Sequence, residues 1–208
     1  MILRIILVKH TIGVVYGIQK GKGNNYETLL EQISDSGDLL IEFGNINNYM
    51  NLTGQIAKHF REVHFGGNWT ASNLKDHLAG LTWQQATTRV YSFNTIAMLV
   101  YHMNYYISVV MKVLQGERLN ASDKYSFDIP PIQSQEDWEK LLEKTWTDAE
   151  NFASLIRELP ESKLWEDFSD NKYGNYYRNL HGIIEHMHYH LGQIVLIKKI
   201  VLQENKNS

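Results

Sequence analysis

The sequence predicts a mainly α protein, in which a four-helix bundle over residues 49–208 follows a small β-rich appendage over residues 1–48. Two observations support this division. Six of the 14 glycines fall within the first 44 residues, whereas all five tryptophans come after residue 68. The spacing of apolar residues also changes near residue 48, from the runs typical of strands to the 3.6-residue period of helices.

The N-terminal segment carries β-branched runs that are bounded by turn residues. Residues 2–8 and 12–18 predict two strands, and residues 39–43 predict a third short one. The glycine-rich stretch 17–23 imitates a phosphate-binding loop, but it has one residue too few between its glycines, so a β-turn is the better interpretation. A secretory signal is disfavoured because Lys9 interrupts the apolar run and no small-residue cleavage site follows. We therefore expect a cytoplasmic protein.

The remainder of the chain predicts four long helices and two short ones. Each long helix has an apolar stripe, so together they can enclose one core as a four-helix bundle. The short helices are expected over residues 73–80 and at the capping box of residues 82–85. A loop is expected over residues 117–133. The long helices are expected from about residue 49 to Gly66, from 95 to 115, from 135 to Pro160, and from 176 to 202.

The second long helix is apolar on nearly all sides, which predicts the most buried position in the bundle. A membrane span is the competing interpretation. His102, Asn104 and Ser108 lie in the middle of the segment, where they would be costly in lipid, and no other segment has the roughly 20 apolar residues that a span needs. We therefore expect no membrane association.

Composition excludes several kinds of function. The chain has no cysteine, which rules out a disulfide scaffold, a thiolate zinc site and a cysteine nucleophile. Its net charge is −3, which argues against a dedicated nucleic-acid-binding protein. The nine histidines are therefore the most informative candidates for chemistry.

Three of the histidines have the spacing of a metal site. His186 and His190 are four residues apart on the last helix, so they project from one face, close to the bundle interior. His102 lies on the buried second helix, and together the three would leave a fourth coordination position open. His188 points elsewhere. The alternative is that the pair arises by chance and that His102 is an ordinary hydrogen-bonded core residue. The other histidines are interpreted as surface or structural: His10, His59, His64, His77 and His181.

Four stretches of the body resemble the DinB-like superfamily of metal-binding four-helix bundles, and the resemblance covers about residues 50–202. In such proteins one histidine of the second long helix and a His-x-x-x-His pair of the last helix bind a divalent metal, usually zinc or nickel. His102, His186 and His190 match those positions. The stretches are NLKDHLAGLT (73–82), TIAMLVYHMNYY (95–106), PPIQSQEDW (130–138) and GIIEHMHYHLGQ (182–193).

The resemblance implies a metal-dependent enzyme that acts on a small-molecule electrophile, either as an S-transferase using a low-molecular-weight thiol or as a hydrolase. A non-catalytic metal-binding or structural bundle is the alternative. Tyr105, Tyr189 and Gln193 are candidates for supporting the ligands or lining the cavity, and no catalytic residue can be named. The resemblance to the DinB-like proteins also implies that the chain forms a homodimer. Because the ligands are neutral imidazoles, metal binding should weaken as the pH falls through roughly 6.5.

Overall fold

The structure, a computed structural model, describes residues 5–9, 14–18 and 51–204. The chain divides into two units, Met1–Asn47 and Asn48–Ser208, and each is described by itself. The described part of the second unit is helical. Its helices are α1 (Leu52–Phe65), α2 (Leu74–Leu78), α3 (Trp83–Thr87), α4 (Ile96–Leu114), α5 (Asp123–Ser126), α6 (Gln135–Glu158) and α7 (Tyr176–Glu204), with 3-10 turns at Glu161–Trp165 and Asn171–Tyr173.

Two strands are described in the first unit. Strand β1 (Ile5–Lys9) pairs antiparallel with β2 (Val14–Ile18), so that Ile5 lies opposite Ile18 and Lys9 opposite Val14. The third strand that the sequence predicts, at residues 39–43, lies outside the described residues, as does His10.

The long helices begin at side-chain caps. The side chains of Asn51, Thr95 and Ser134 each accept a hydrogen bond from a backbone N–H in the first turn of α1, α4 and α6, and so satisfy donors that a helix start leaves unpaired. Helix α1 ends at Gly66, whose φ of 99° is strained for residues with a Cβ. Helix α6 ends just before Pro160, which cannot donate to the helical ladder.

Each of the four long helices packs against two of the others. Helix α1 contacts α6 and α7, and α4 contacts the same two helices from the other side. The core between them is mainly aliphatic and includes an aromatic pair: Phe60 of α1 meets Phe152 of α6 edge to face, with ring centroids 4.7 Å apart. Trp138 of α6 is fully buried and donates its Nε1 hydrogen to the Leu81 carbonyl oxygen, so its polar atom is satisfied.

Helix α4 is long and apolar enough to cross a membrane by length and composition alone. However, 61% of its most apolar window is buried inside the protein. Its buried residues include Ile96, Val100, Met103 and Ile107, which pack into the core. The apolar character of this helix is therefore accounted for by its position in the core.

One turn of helix lies where the sequence predicts a loop. Helix α5 (Asp123–Ser126) falls inside the stretch 117–133, and Ser126 at its end is fully buried. Four residues are too few to show an apolar period, so the spacing of apolar residues cannot reveal such a turn. This turn matters because it packs against α4 beside His102.

Candidate metal centre

Three histidine side chains from two helices meet at one point. His102 projects from α4, and His186 and His190 project from successive turns of α7. The Nε2 atom of His186 lies 3.0 Å from Nε2 of His102 and 2.9 Å from Nε2 of His190. Among the described residues this is the group of three whose potential ligand atoms lie within 4.8 Å of one another. His102 and His190 are buried, and His186 is half-buried.

Two neighbouring side chains orient the outer rings. The Nδ1 atom of His190 lies 2.7 Å from Oε1 of Gln193, an acceptor, so Nδ1 carries the hydrogen. The Nδ1 atom of His102 lies 2.9 Å from Oγ of Ser126, whose own hydroxyl donates to the Asp123 carbonyl oxygen. His102 therefore donates to Ser126. In both rings Nε2 is left as the unprotonated nitrogen that can bind a metal.

This arrangement fits a divalent cation. If Nε2 of His186 carries a hydrogen, it can donate that hydrogen to Nε2 of His102 or to Nε2 of His190. The other of these two nitrogens then has a lone pair without a hydrogen-bond donor from the cluster. Zinc binds imidazole nitrogen at about 2.0–2.1 Å, which separates tetrahedral nitrogen ligands by about 3.3 Å. The observed separations of 2.9 and 3.0 Å are within a few tenths of an ångström of that distance. The three histidines could therefore hold a metal ion.

The surroundings keep the three rings neutral. Burial, followed by the neighbouring His190, lowers the pKa of His102 to about 4. Burial and the two adjacent imidazoles lower the pKa of His186 to about 4, and burial lowers the pKa of His190. Neutral imidazole is the form that binds metals. Protons therefore compete with a metal at a lower pH than the value near 6.5 that ordinary imidazoles would predict.

Aromatic side chains enclose the cluster. The Phe127 ring stacks on His102, with centroids 4.0 Å apart and an interplanar angle of 12°. The Tyr106 ring stands edge-on to His102 at 5.1 Å and to His186 at 5.2 Å. Its hydroxyl donates to Oδ1 of Asp123 at 2.9 Å, and burial together with that carboxylate raises the pKa of Tyr106 to about 12. Tyr106 therefore stays protonated beside the histidines.

The cluster opens into a cavity of about 1220 Å³. All three histidines line it, and so do Tyr106 and Asp123. Its size is sufficient for a small molecule together with solvent. A ligand in the cavity would therefore have access to a metal held by the three histidines.

The three supporting residues that the sequence suggested have different surroundings. Gln193 contacts His190 directly. Tyr189 lines the cavity with its ring 4.9 Å from that of His190, although 65% of the residue is exposed. Tyr105 accepts a hydrogen bond from the backbone N–H of Ser122 at 2.9 Å, which ties the start of α5 to α4. The tyrosine of this helix that lines the cavity is its neighbour Tyr106.

The remaining described histidines do not join the three. His188 points toward α1, where its ring centroid lies 6.0 Å from that of His59. His64 is fully buried and donates Nδ1–H to the Phe60 carbonyl oxygen. His77 contacts the Ser72 hydroxyl at 2.9 Å. His181 lines the cavity without belonging to the group of three.

Sequence patterns did not indicate two residues that support the site. Ser126 orients His102, and Asp123 holds both Ser126 and Tyr106. Both belong to the short helix α5, which has no apolar period of its own. The dipeptide Ser122-Asp123 is a helix-start signal, and it is the feature that could have revealed this turn.

No family model, curated protein or solved structure matches this chain. What the structure shows on its own is a mainly helical protein with three clustered histidines that could hold a metal ion.

Proposed function

We propose that this chain is a divalent-metal-binding, DinB-like four-helix bundle and a metal-dependent enzyme that acts on small electrophiles. The observation that carries the proposal is the meeting of three neutral imidazole nitrogens at the wall of a cavity of about 1220 Å³. The cyclic contacts of α1, α6, α4 and α7 support the bundle architecture.

His102, His186 and His190 would hold the ion, and zinc and nickel are among the metals that suit an all-imidazole set. A divalent ion with three neutral ligands keeps its positive charge and lowers the pKa of a bound water or thiol, which makes the oxygen or sulfur nucleophilic near neutral pH. Ser126 and Gln193 keep the outer two rings in the metal-binding tautomer.

Asp123 is the carboxylate that we assign as the proton acceptor. It lines the cavity, and its charge acts on both His102 and His186. Tyr106 donates to it at 2.9 Å and so fixes the carboxylate beside the histidines. A proton released from a water or thiol would be held at Asp123 Oδ2, the oxygen that Tyr106 does not occupy.

A non-catalytic bundle, in which a metal serves only stability, is the second candidate. A metal that only stabilises a fold is held in a closed site, whereas a catalytic metal keeps an accessible position. The large cavity beside the three histidines favours the enzyme.

The test is to incubate the zinc- or nickel-loaded protein with bacillithiol, or with another small thiol, and a panel of model electrophiles. Loss of thiol together with conjugate formation identifies thiol transfer, whereas electrophile loss without thiol consumption identifies hydrolysis. His188→Ala, on the same helix as His186 and His190, is the control and should retain activity. His102→Ala should lose it. If the wild type never exceeds the His102→Ala protein across the panel, the enzymatic proposal is wrong.

A further inference from the structure

We infer that the cavity takes an elongated small molecule whose head reaches the three histidines, whose body is apolar, and whose anionic tail is held by Arg178 and Lys172. The inference rests on the proposed function, because the head group is the one that a metal at the histidines would bind. It adds a substrate class: a thiol or ester with a carboxylate or phosphate at its far end.

Three residues of α7 are spaced along one wall of the cavity. Arg178, Gly182 and His186 follow one another at intervals of four residues, so they lie along one face of the helix. At a rise of 1.5 Å per residue, the Cα atoms of Arg178 and His186 are about 12 Å apart. Gly182, between them, lines the cavity, and a Cβ added there would meet no atom within 4 Å. The missing side chain therefore leaves a channel from the histidines to Arg178.

The far end of this channel carries positive charge. Arg178 and Lys172 both line the cavity. Within residues 51–204 no carboxylate forms an ion pair with Arg178, and Lys172 has only a long one, 3.7 Å from Asp170. Lys172 also lies over the Tyr173 ring, 4.8 Å from its centroid. Arg178 and Lys172 carry two positive charges, and the carboxylate of Asp170 offsets one of them at most. The remaining positive charge can be matched by an anionic ligand.

Two acidic side chains, Asp123 and Glu185, also line the cavity. Asp123 stands at the histidine end, where it acts on His102. Glu185 lies near His181 and acts on that imidazole. Asp123 is thus separated from Arg178 and Lys172 along the cavity, which favours a ligand with its anion at the Arg178 end.

The wall between the two ends is apolar. Val109 and Val110 of α4 line it, as does the buried Phe168. Tyr177 adds a flat surface, and its position is fixed by stacking on Trp165 at 5.3 Å with an interplanar angle of 23°. A hydrocarbon or aromatic body would lose water contact along this wall, which favours binding.

The test uses the full chain loaded with Co²⁺, whose visible absorption changes when a thiolate sulfur coordinates it. Three probes are titrated: a mercaptoalkanoate with an eight-carbon chain, the mercapto-alcohol of the same length, and mercaptopropionate. In the wild type the long carboxylate should bind about three- to tenfold more tightly than the alcohol, as expected for exposed charge pairs. In Arg178→Ala combined with Lys172→Ala this preference should vanish. Lys199→Ala, which removes an exposed cation of α7 outside the cavity, should keep it.

A second pair of variants tests the channel. Gly182→Leu should weaken both long probes about tenfold or more and leave mercaptopropionate unchanged, because only the long chains pass residue 182. Gly192→Leu is the matched control, since this glycine of the same helix is exposed and lies outside the cavity lining. Equal binding of the long acid and alcohol to the wild type, or a preference that survives loss of both cations, would overturn the inference while leaving the metal site intact. Failure to bind Co²⁺ at all would overturn the proposed function and the inference together.

Discussion

His64 should make the stability of the metal-free protein depend on pH between about 6.5 and 4. Its side chain is fully buried in α1, Nδ1–H donates to the Phe60 carbonyl oxygen, and the buried Nε2 has no hydrogen-bond partner within the described residues. Burial lowers the pKa of His64 from 6.5 to about 4. The unfolded chain therefore binds a proton more readily than the folded protein, so acid favours unfolding.

The magnitude follows from that difference. At about 1.4 kcal/mol per pH unit, lowering the pKa from 6.5 to about 4 corresponds to about 3 kcal/mol in the free energy of unfolding. The stabilisation is complete above pH 6.5, decreases as the pH falls through that value, and is fully lost near pH 4. At about pH 5, His64 alone should account for a loss of about 2 kcal/mol in the free energy of unfolding.

The assay is urea denaturation of chelator-treated protein at about pH 7.5 and about pH 5, compared between the wild type and His64→Asn. Asparagine can keep the donor to Phe60 but does not titrate, so this variant should lose about 2 kcal/mol less stability on acidification. Val63→Ala is the control: it removes buried volume from the same helix without removing a titrating group and should keep the wild-type pH dependence. If His64→Asn and the wild type lose the same stability on acidification, the reasoning about His64 is refuted.

Other predictions concern the metal and the core. Gln193→Leu should lower zinc affinity about 10- to 100-fold because it removes the acceptor of the His190 Nδ1 hydrogen, and Ser126→Ala should do the same for His102. Unchanged dissociation constants in a competition titration would contradict this. A saturating metal should raise the melting temperature, and a chelator should reverse the rise; a melting temperature independent of metal would contradict folded-state binding. Trp138→Phe should lower the free energy of unfolding by about 1–3 kcal/mol, measured by urea denaturation, because a buried carbonyl loses its donor.

The helices could be predicted from the sequence because their start and stop signals are local. These signals act within one turn of the residues that they affect. They are the asparagine, threonine and serine N-caps, the glycine at position 66 that tolerates a positive φ, and Pro160, which ends a helix. The aligned pair His186 and His190 could be predicted for the same reason, since a spacing of four fixes a common helix face. His102 could be proposed because a histidine on an apolar helix is unusual and because its stretch resembles the DinB-like pattern.

The supporting residues could not be predicted because they depend on how distant segments pack. Ser126 reaches His102 across 24 residues, from a turn too short to carry a pattern. The choice between adjacent tyrosines, Tyr105 and Tyr106, depends on the rotation of α4 against α7, which a helix apolar on nearly all sides does not specify. The lowered pKa of His102 likewise comes from burial and from His190, which is distant in sequence.

The most direct test of the central claim is a metal titration of the full chain, with bound zinc or nickel measured after removal of free ion. The wild type and His188→Ala should each bind one equivalent, because His188 points away from the cluster toward His59. His186→Ala should bind substoichiometrically or not at all, because it removes the nitrogen that lies between the other two. Full metal content in His186→Ala would contradict the account.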